Sequence, residues 1–111
     1  MQVYSLSLDM VSAVHEDVMP MLRSHDPELA GQLHRAARSV ALNVSEGLGL
    51  LPGKRQRNHF QIALGSARET MACIDIVVAT GLVDEQSVAA VVDRVDHVCA
   101  MLWKLTRRQV A

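Results

Sequence analysis

Residues 39–47 read SVALNVSEG. Ser39, Asn43 and Glu46 stand four and three positions apart, which places them in one row along a helix. Val40 and Val44 fall on another side and continue an apolar stripe that begins at Leu29. The stretch is therefore helical, with one greasy face and one polar row. That row either faces water or forms a polar seam inside a helical bundle.

The helix around this stretch has clear ends. Asp26 is a good N-cap, and Pro27 follows at the first helical position, where its missing N–H costs nothing. Leu29, Leu33, Ala37, Val40, Val44 and Leu48 form the stripe. Gly47, Gly49 and the pair Pro52-Gly53 mark its stop and the connection. Upstream, a helix over about 4–24 carries Val11, Val14, Val18 and Leu22 at helical spacing, and Pro20 should kink it or end its regular part. Downstream, a helix over about 54–80 has the stripe Phe60, Leu64, Ala67, Met71, Ile74 and Val78, with Gly81 as its C-terminal glycine. Asp84 caps a last helix that runs to about 108, with Val88, Val91, Val95, Val98, Leu102 and Leu105 inward. Arg107 and Arg108 stand at its end, where positive charge is favoured. No strand alternation or hairpin turn appears. Long helices joined by short connections predict an all-α fold, an antiparallel up-down-up-down four-helix bundle.

The chain has 111 residues, which predicts a single domain over 1–111. Half of it is apolar but only Tyr4, Phe60 and Trp103 are aromatic, which suits close helix packing. The net charge of −1 lacks the basic excess that non-specific nucleic-acid binding favours. Cys73 and Cys99 have no metal-type spacing and read as reduced thiols of a cytoplasmic protein. No signal peptide is visible, and charges or prolines interrupt every apolar run short of a membrane span. From Met71 to Ala79 the only strongly polar residue is Asp75, and Val92, Met101 and Trp103 lie off the last helix's stripe. Surface this apolar implies cover by another copy of the chain, against the alternative of singly scattered exposed residues.

Folding the two central helices into an antiparallel hairpin matches Glu46 with His59, Asn43 with Ile62, Ser39 with Ser66, and Arg35 with Glu69. Gly65 adds a small residue beside Ser66. A partly buried seam of this kind would fix register, and breaking a buried Arg35–Glu69 pair would cost about 3–5 kcal/mol. Solvated faces are the alternative, worth tenths of a kcal/mol per pair. The pattern leaves open whether a seam would lie within one subunit or between subunits.

The same residues carry a family resemblance. HRAARSVALNVSEG (34–47) followed by FQIALGSARE (60–69) resembles the paired signatures of a small four-helix-bundle family. Its first members were noticed as proteins encoded in intervening sequences of bacterial large-subunit ribosomal RNA genes. Arg35, Ala36, Ala37, Ser39, Asn43, Glu46 and Gly47 fit the first signature. Phe60, Ile62, Ala63, Gly65, Ser66 and Glu69 fit the second. The resemblance is close over about 29–82 and covers the whole chain in helix layout. It implies a pentameric ring of bundles with no established enzymatic activity. A distant branch comprises accessory proteins of diversity-generating retroelements, which bind a reverse transcriptase and nucleic acid through a basic surface. This chain departs in its acidic balance and in Leu48-Gly49-Leu50-Leu51-Pro52, where the family carries a basic residue.

One basic cluster, GKRQRNH (53–59), offers Lys54, Arg55 and Arg57 as contacts to RNA or DNA phosphates. A solubilising helix start is the plainer reading, and no aromatic residue is interleaved to stack on bases. The five histidines form no HxxxH, HExxH or Glu-x-x-His pattern, and GLGLLPGK lacks P-loop spacing. No cofactor, metal or catalytic residue is expected. A non-enzymatic interaction or scaffold protein that forms a homo-oligomer is the leading reading. A nucleic-acid or ribonucleoprotein accessory factor comes second, and an acid–base enzyme using Glu46, His59 and Glu69 is remote.

Overall fold

Asp26 and Pro27 begin the central helix as their chemistry requires. In the computed structural model, which describes residues 2–108 except the Arg108 side chain, Asp26 Oδ1 accepts the Leu29 N–H at 3.1 Å. The Asp26 N–H in turn donates to the Leu22 carbonyl at 2.7 Å, which closes the preceding helix. The elements in chain order are α1 (Gln2–Asp17), α2 (Met19–His25), α3 (Pro27–Leu48), α4 (Lys54–Ala79), a 3-10 turn (Gln86–Val88) and α5 (Ala89–Arg108). No strand occurs among the described residues, so the fold is all-α.

The first expected helix is two helices separated by Val18 alone. Pro20 sits in the first turn of α2, where a missing N–H is tolerated. Backbone bonds from Val18 N–H to the Val14 carbonyl and from Leu22 N–H to the Val18 carbonyl, both 3.1 Å, bridge the break. At the far end of α4, Gly81 takes φ 78°, open to glycine at no steric cost. Its N–H bonds the Val78 carbonyl and the Leu82 N–H bonds the Val77 carbonyl, the paired bonds of a Schellman cap. Asp84 holds the Ser87 N–H at 2.8 Å and the Ser87 hydroxyl at 2.9 Å. These bonds start the 3-10 turn leading into α5, and they hold the Asp84 carboxyl below the usual carboxylate range.

α3 packs against α1 and α4, α5 packs against α1 and α4, and α2 lies on α3 and α1. The long helices thus have the neighbour order of an up-down-up-down bundle, in a body of 44 × 21 × 19 Å. The α3 and α5 stripes are inward as read, with only Leu48 and Leu105 half-buried. The stripes of the other two long helices are also largely inward, but further positions share the core with them. On α1, Val3, Ser7, Met10 and Val14 face the core and Val11 is half-buried; the Ser7 hydroxyl, donating to the Val3 carbonyl at 2.7 Å, makes that position tolerable inside. On α4, Phe60, Leu64, Ala67 and Ile74 are buried as read, Ala63, Thr70 and Val77 are buried beside them, and Met71 and Val78 are half-buried. Thr70 is admitted because its hydroxyl donates to the Ser66 carbonyl at 2.9 Å. Cys73 is buried and Cys99 half-buried, both as free thiols, and burial pushes both above the ordinary thiol range.

Gly47 does not stop the helix; α3 continues to Leu48. Its role is close approach. A Cβ at Gly47 would lie 2.6 and 2.8 Å from two ring carbons of Phe60, itself 2% exposed in the core. The ring has nowhere to move, so overpacking should be felt in full. Gly47→Ala should lower stability by about 1–3 kcal/mol, read as a fall in urea midpoint at unchanged slope.

Candidate functional site

The polar row of α3 meets α4 in a chain of neutral groups. Ser39 Oγ and Ser66 Oγ lie 2.8 Å apart. Asn43 Nδ2 donates to the Ser39 carbonyl at 2.9 Å and to Ser39 Oγ at 3.1 Å. That orientation leaves Asn43 Oδ1 as an acceptor, and His59 Nδ1 stands 3.1 Å from it. An Nδ1–H on His59 is placed to donate to it. Ser39, Asn43, His59 and Ser66 are all half-buried, so the network runs along the α3–α4 groove within one subunit.

The charged members of the expected seam are not in it. Arg35, Glu46 and Glu69 are exposed, and His59 reaches Asn43 instead of Glu46. The Arg35 guanidinium folds back over its own helix, 3.2 Å from where a Cβ on Gly31 would stand. Ile62, expected opposite Asn43, is 45% exposed. Gly65 is also elsewhere, exposed and with nothing within 4 Å of an added Cβ. The physical reason is the cost of desolvating charge. Long side chains at the edge of a groove reach water, whereas short hydroxyl and amide groups stay and must pair with one another. Spacing put these residues in two facing rows, one on α3 and one on α4; only side-chain length and burial sort them.

The basic cluster is divided in the same way. Lys54 and Arg55 are exposed in the first turn of α4, and Arg57 is half-buried. Gln56, between them, turns inward and donates Nε2 to the carbonyls of Gly47 at 2.9 Å and Leu50 at 3.0 Å. Those are carbonyls at the α3 terminus and in the connection that follows, so Gln56 ties the α3–α4 turn. Its signal in the sequence was hidden by the cations around it. Among the described residues, no group of three or more His, Cys, Asp or Glu is placed to hold a metal ion. No helix among them is long and apolar enough to cross a membrane. The sequence reading also missed two surface grooves between α4 and α5, one lined by carboxylates and one by arginines and Trp103.

A neutral seam between α3 and α4, on the residues of the two signatures, sets the context for the comparison with known proteins. The family model of the 23S rRNA-intervening sequence protein matches residues 1–104. The chain belongs to that family. The chain is also similar to the crystal structure of a protein with unknown function from the S23 ribosomal protein family of Bacteroides thetaiotaomicron VPI-5482. The match has a TM-score of 0.82 at 18% identity and covers 94% of this chain and 97% of that one, so it shows the fold. No curated protein matches the sequence.

The seam's stability is testable in this family member. Asn43→Ala removes the central link and should cost about 1–2 kcal/mol, since it strands half-buried partners. Arg35→Ala and Glu69→Ala should each stay within about 0.5 kcal/mol of the parent, as exposed sites do. Thermal unfolding of the three variants side by side checks the order.

Proposed function

We propose that this intervening-sequence protein is a non-enzymatic interaction protein of the cytoplasm that assembles from several copies of itself. The observation that carries the reading is large apolar side chains left exposed on every long helix. Leu42 is 59% exposed and Leu51 88%, with Leu8, Ile62, Ile76 and Trp103 near half. Of these, Leu8 borders a groove of about 390 Å³ between α1 and α3, where Val11, Val14, Met19 and Ala37 meet the polar edges of His15, His34 and Arg38. Apolar surface grouped around a groove favours a protein partner over water. The polar seam supports the non-enzymatic part, because its side chains use their hydrogen bonds on one another. The family resemblance implies five copies in a ring. Light scattering should give a multiple of the 12.2 kDa chain mass, with a ring of five as the unit by that resemblance. A single-chain mass at all concentrations overturns the reading.

A second reading is contact with nucleic acid through Lys54, Arg55 and Arg57. It is favoured by the placement of Lys104 and Arg107 on the half of α5 that lies beside the first half of α4. These add cations toward the same end of the molecule. Retention of RNA should then fall steeply with salt and be lost in a Lys54→Glu/Arg55→Glu variant. Retention independent of salt counts against it.

A further inference from the structure

The outward side of the α4–α5 pair carries two grooves of opposite character at its two ends. One, of about 860 Å³, has a floor of Ile74, Val78, Val88 and Val92, with the carboxylates of Asp75, Glu85, Asp93 and Asp96 around it. The other, of about 540 Å³, lies toward the start of α4 and the end of α5 and is bordered by Arg68, Trp103 and Arg107. Trp103 is 46% exposed, and the Arg107 guanidinium lies 4.3 Å from its ring centroid.

The two grooves share one face. On α4 the row Gln61, Gly65, Arg68, Ala72, Asp75 and Ala79 steps by three and four, and every member is exposed. On α5 the row Ala89, Asp93, Asp96, Ala100, Trp103 and Arg107 does the same. Such rows each form one helix face. Ala72 and Ala100, the small residues of the two rows, lie between the grooves. The face thus reads acidic and apolar at one end, small in the middle, and basic and aromatic at the other.

A partner for the whole face must present the same two patches in reverse order. Nucleic acid suits the arginine end but is repelled by four carboxylates at the other. A cationic peptide meets the opposite difficulty. A second copy turned end for end has the required order, and an isologous contact needs only that the face complement itself. We propose that the outward α4–α5 face pairs with the same face of a second copy about a two-fold axis. Trp103 then enters the partner's apolar groove near the partner's Asp93. Arg68 and Arg107 meet the partner's carboxylates, and the alanines let the helices approach. The parallel arrangement is rejected because it stacks like charges. The inference rests on the self-assembly reading and adds the surface and the symmetry. The contact joins copies in pairs, whether single chains or members of two rings.

Two charge-reversal variants test it by sedimentation: Asp93→Arg/Asp96→Arg, and Arg68→Glu/Arg107→Glu. All four sites are exposed, so the fold should tolerate them. Each variant alone should associate roughly tenfold or more weakly and settle at half the wild-type mass. A one-to-one mixture should regain the wild-type mass, because a two-fold contact lets each variant complement the other at both ends. Emission of Trp103, the single tryptophan, should move to shorter wavelength as wild type associates. Variants sharing one oligomeric mass with wild type overturn the pairing and leave self-assembly standing. A mixture that fails to regain mass, or Trp103 emission unmoved by association, also overturns it. A wild type that sediments as a single chain throughout overturns both readings.

Discussion

The closeness of α3 to α4 is the constraint on which the other contacts depend. It is set by what is missing at Gly47 and by what is short at Ser39 and Ser66. A glycine against the Phe60 ring and two hydroxyls 2.8 Å apart leave no space for larger groups. With that pair locked in register, Ala63 and Ala67 bring the α4 backbone up to the core. α1 and α5 then close the opposite side with Val3, Met10, Val95 and Val98. Interiors packed at this density transmit any added volume, so one methyl group at Gly47 is felt across the helix pair.

Within that constraint, polar groups sort by size and charge. Ser39, Asn43, His59 and Ser66 are short enough to stay between the helices, and each finds a partner there. Arg35, Glu46 and Glu69 occupy the same helical rows yet extend into water. A half-buried neutral network loses little solvation and gains directional bonds, whereas a buried ion pair must recover the desolvation of two charges. The seam therefore serves register between the two helices.

What remains for function is the outer surface. An apolar groove lies between α1 and α3, cations gather toward the α3–α4 turn, and the α4–α5 face divides into acidic and basic ends. In the neighbour order of the bundle, the α1–α3 and α4–α5 faces lie on opposite sides. The near-zero net charge of the chain thus conceals a separation of sign between the two ends of the α4–α5 face.

The sequence by itself determined the long helices and most of their ends, though not the break at Val18. Asp26-Pro27, Gly81 and Asp84 act through bonds to residues a few positions away, so local spacing suffices to read them. It also determined the inward rows of α3 and α5, where valine and leucine recur without competition. On α1 and α4 it found most of the inner row but not the serine, threonine and alanine that share it, so Val11, Met71 and Val78 stand half-buried at its edge. It placed the seam residues in two facing rows and matched Ser39 with Ser66, but it gave His59 to Glu46 and Arg35 to Glu69, where the structure pairs His59 with Asn43 and leaves the three charged residues exposed. Only the tertiary structure decided which of them are covered, that Gly47 serves packing and not termination, and that Gln56 turns inward. It alone brought Trp103 and Arg68 to one groove. Those outcomes depend on distances between helices, and helix spacing is fixed by the packed volume of all of them together, which no single stretch of sequence contains.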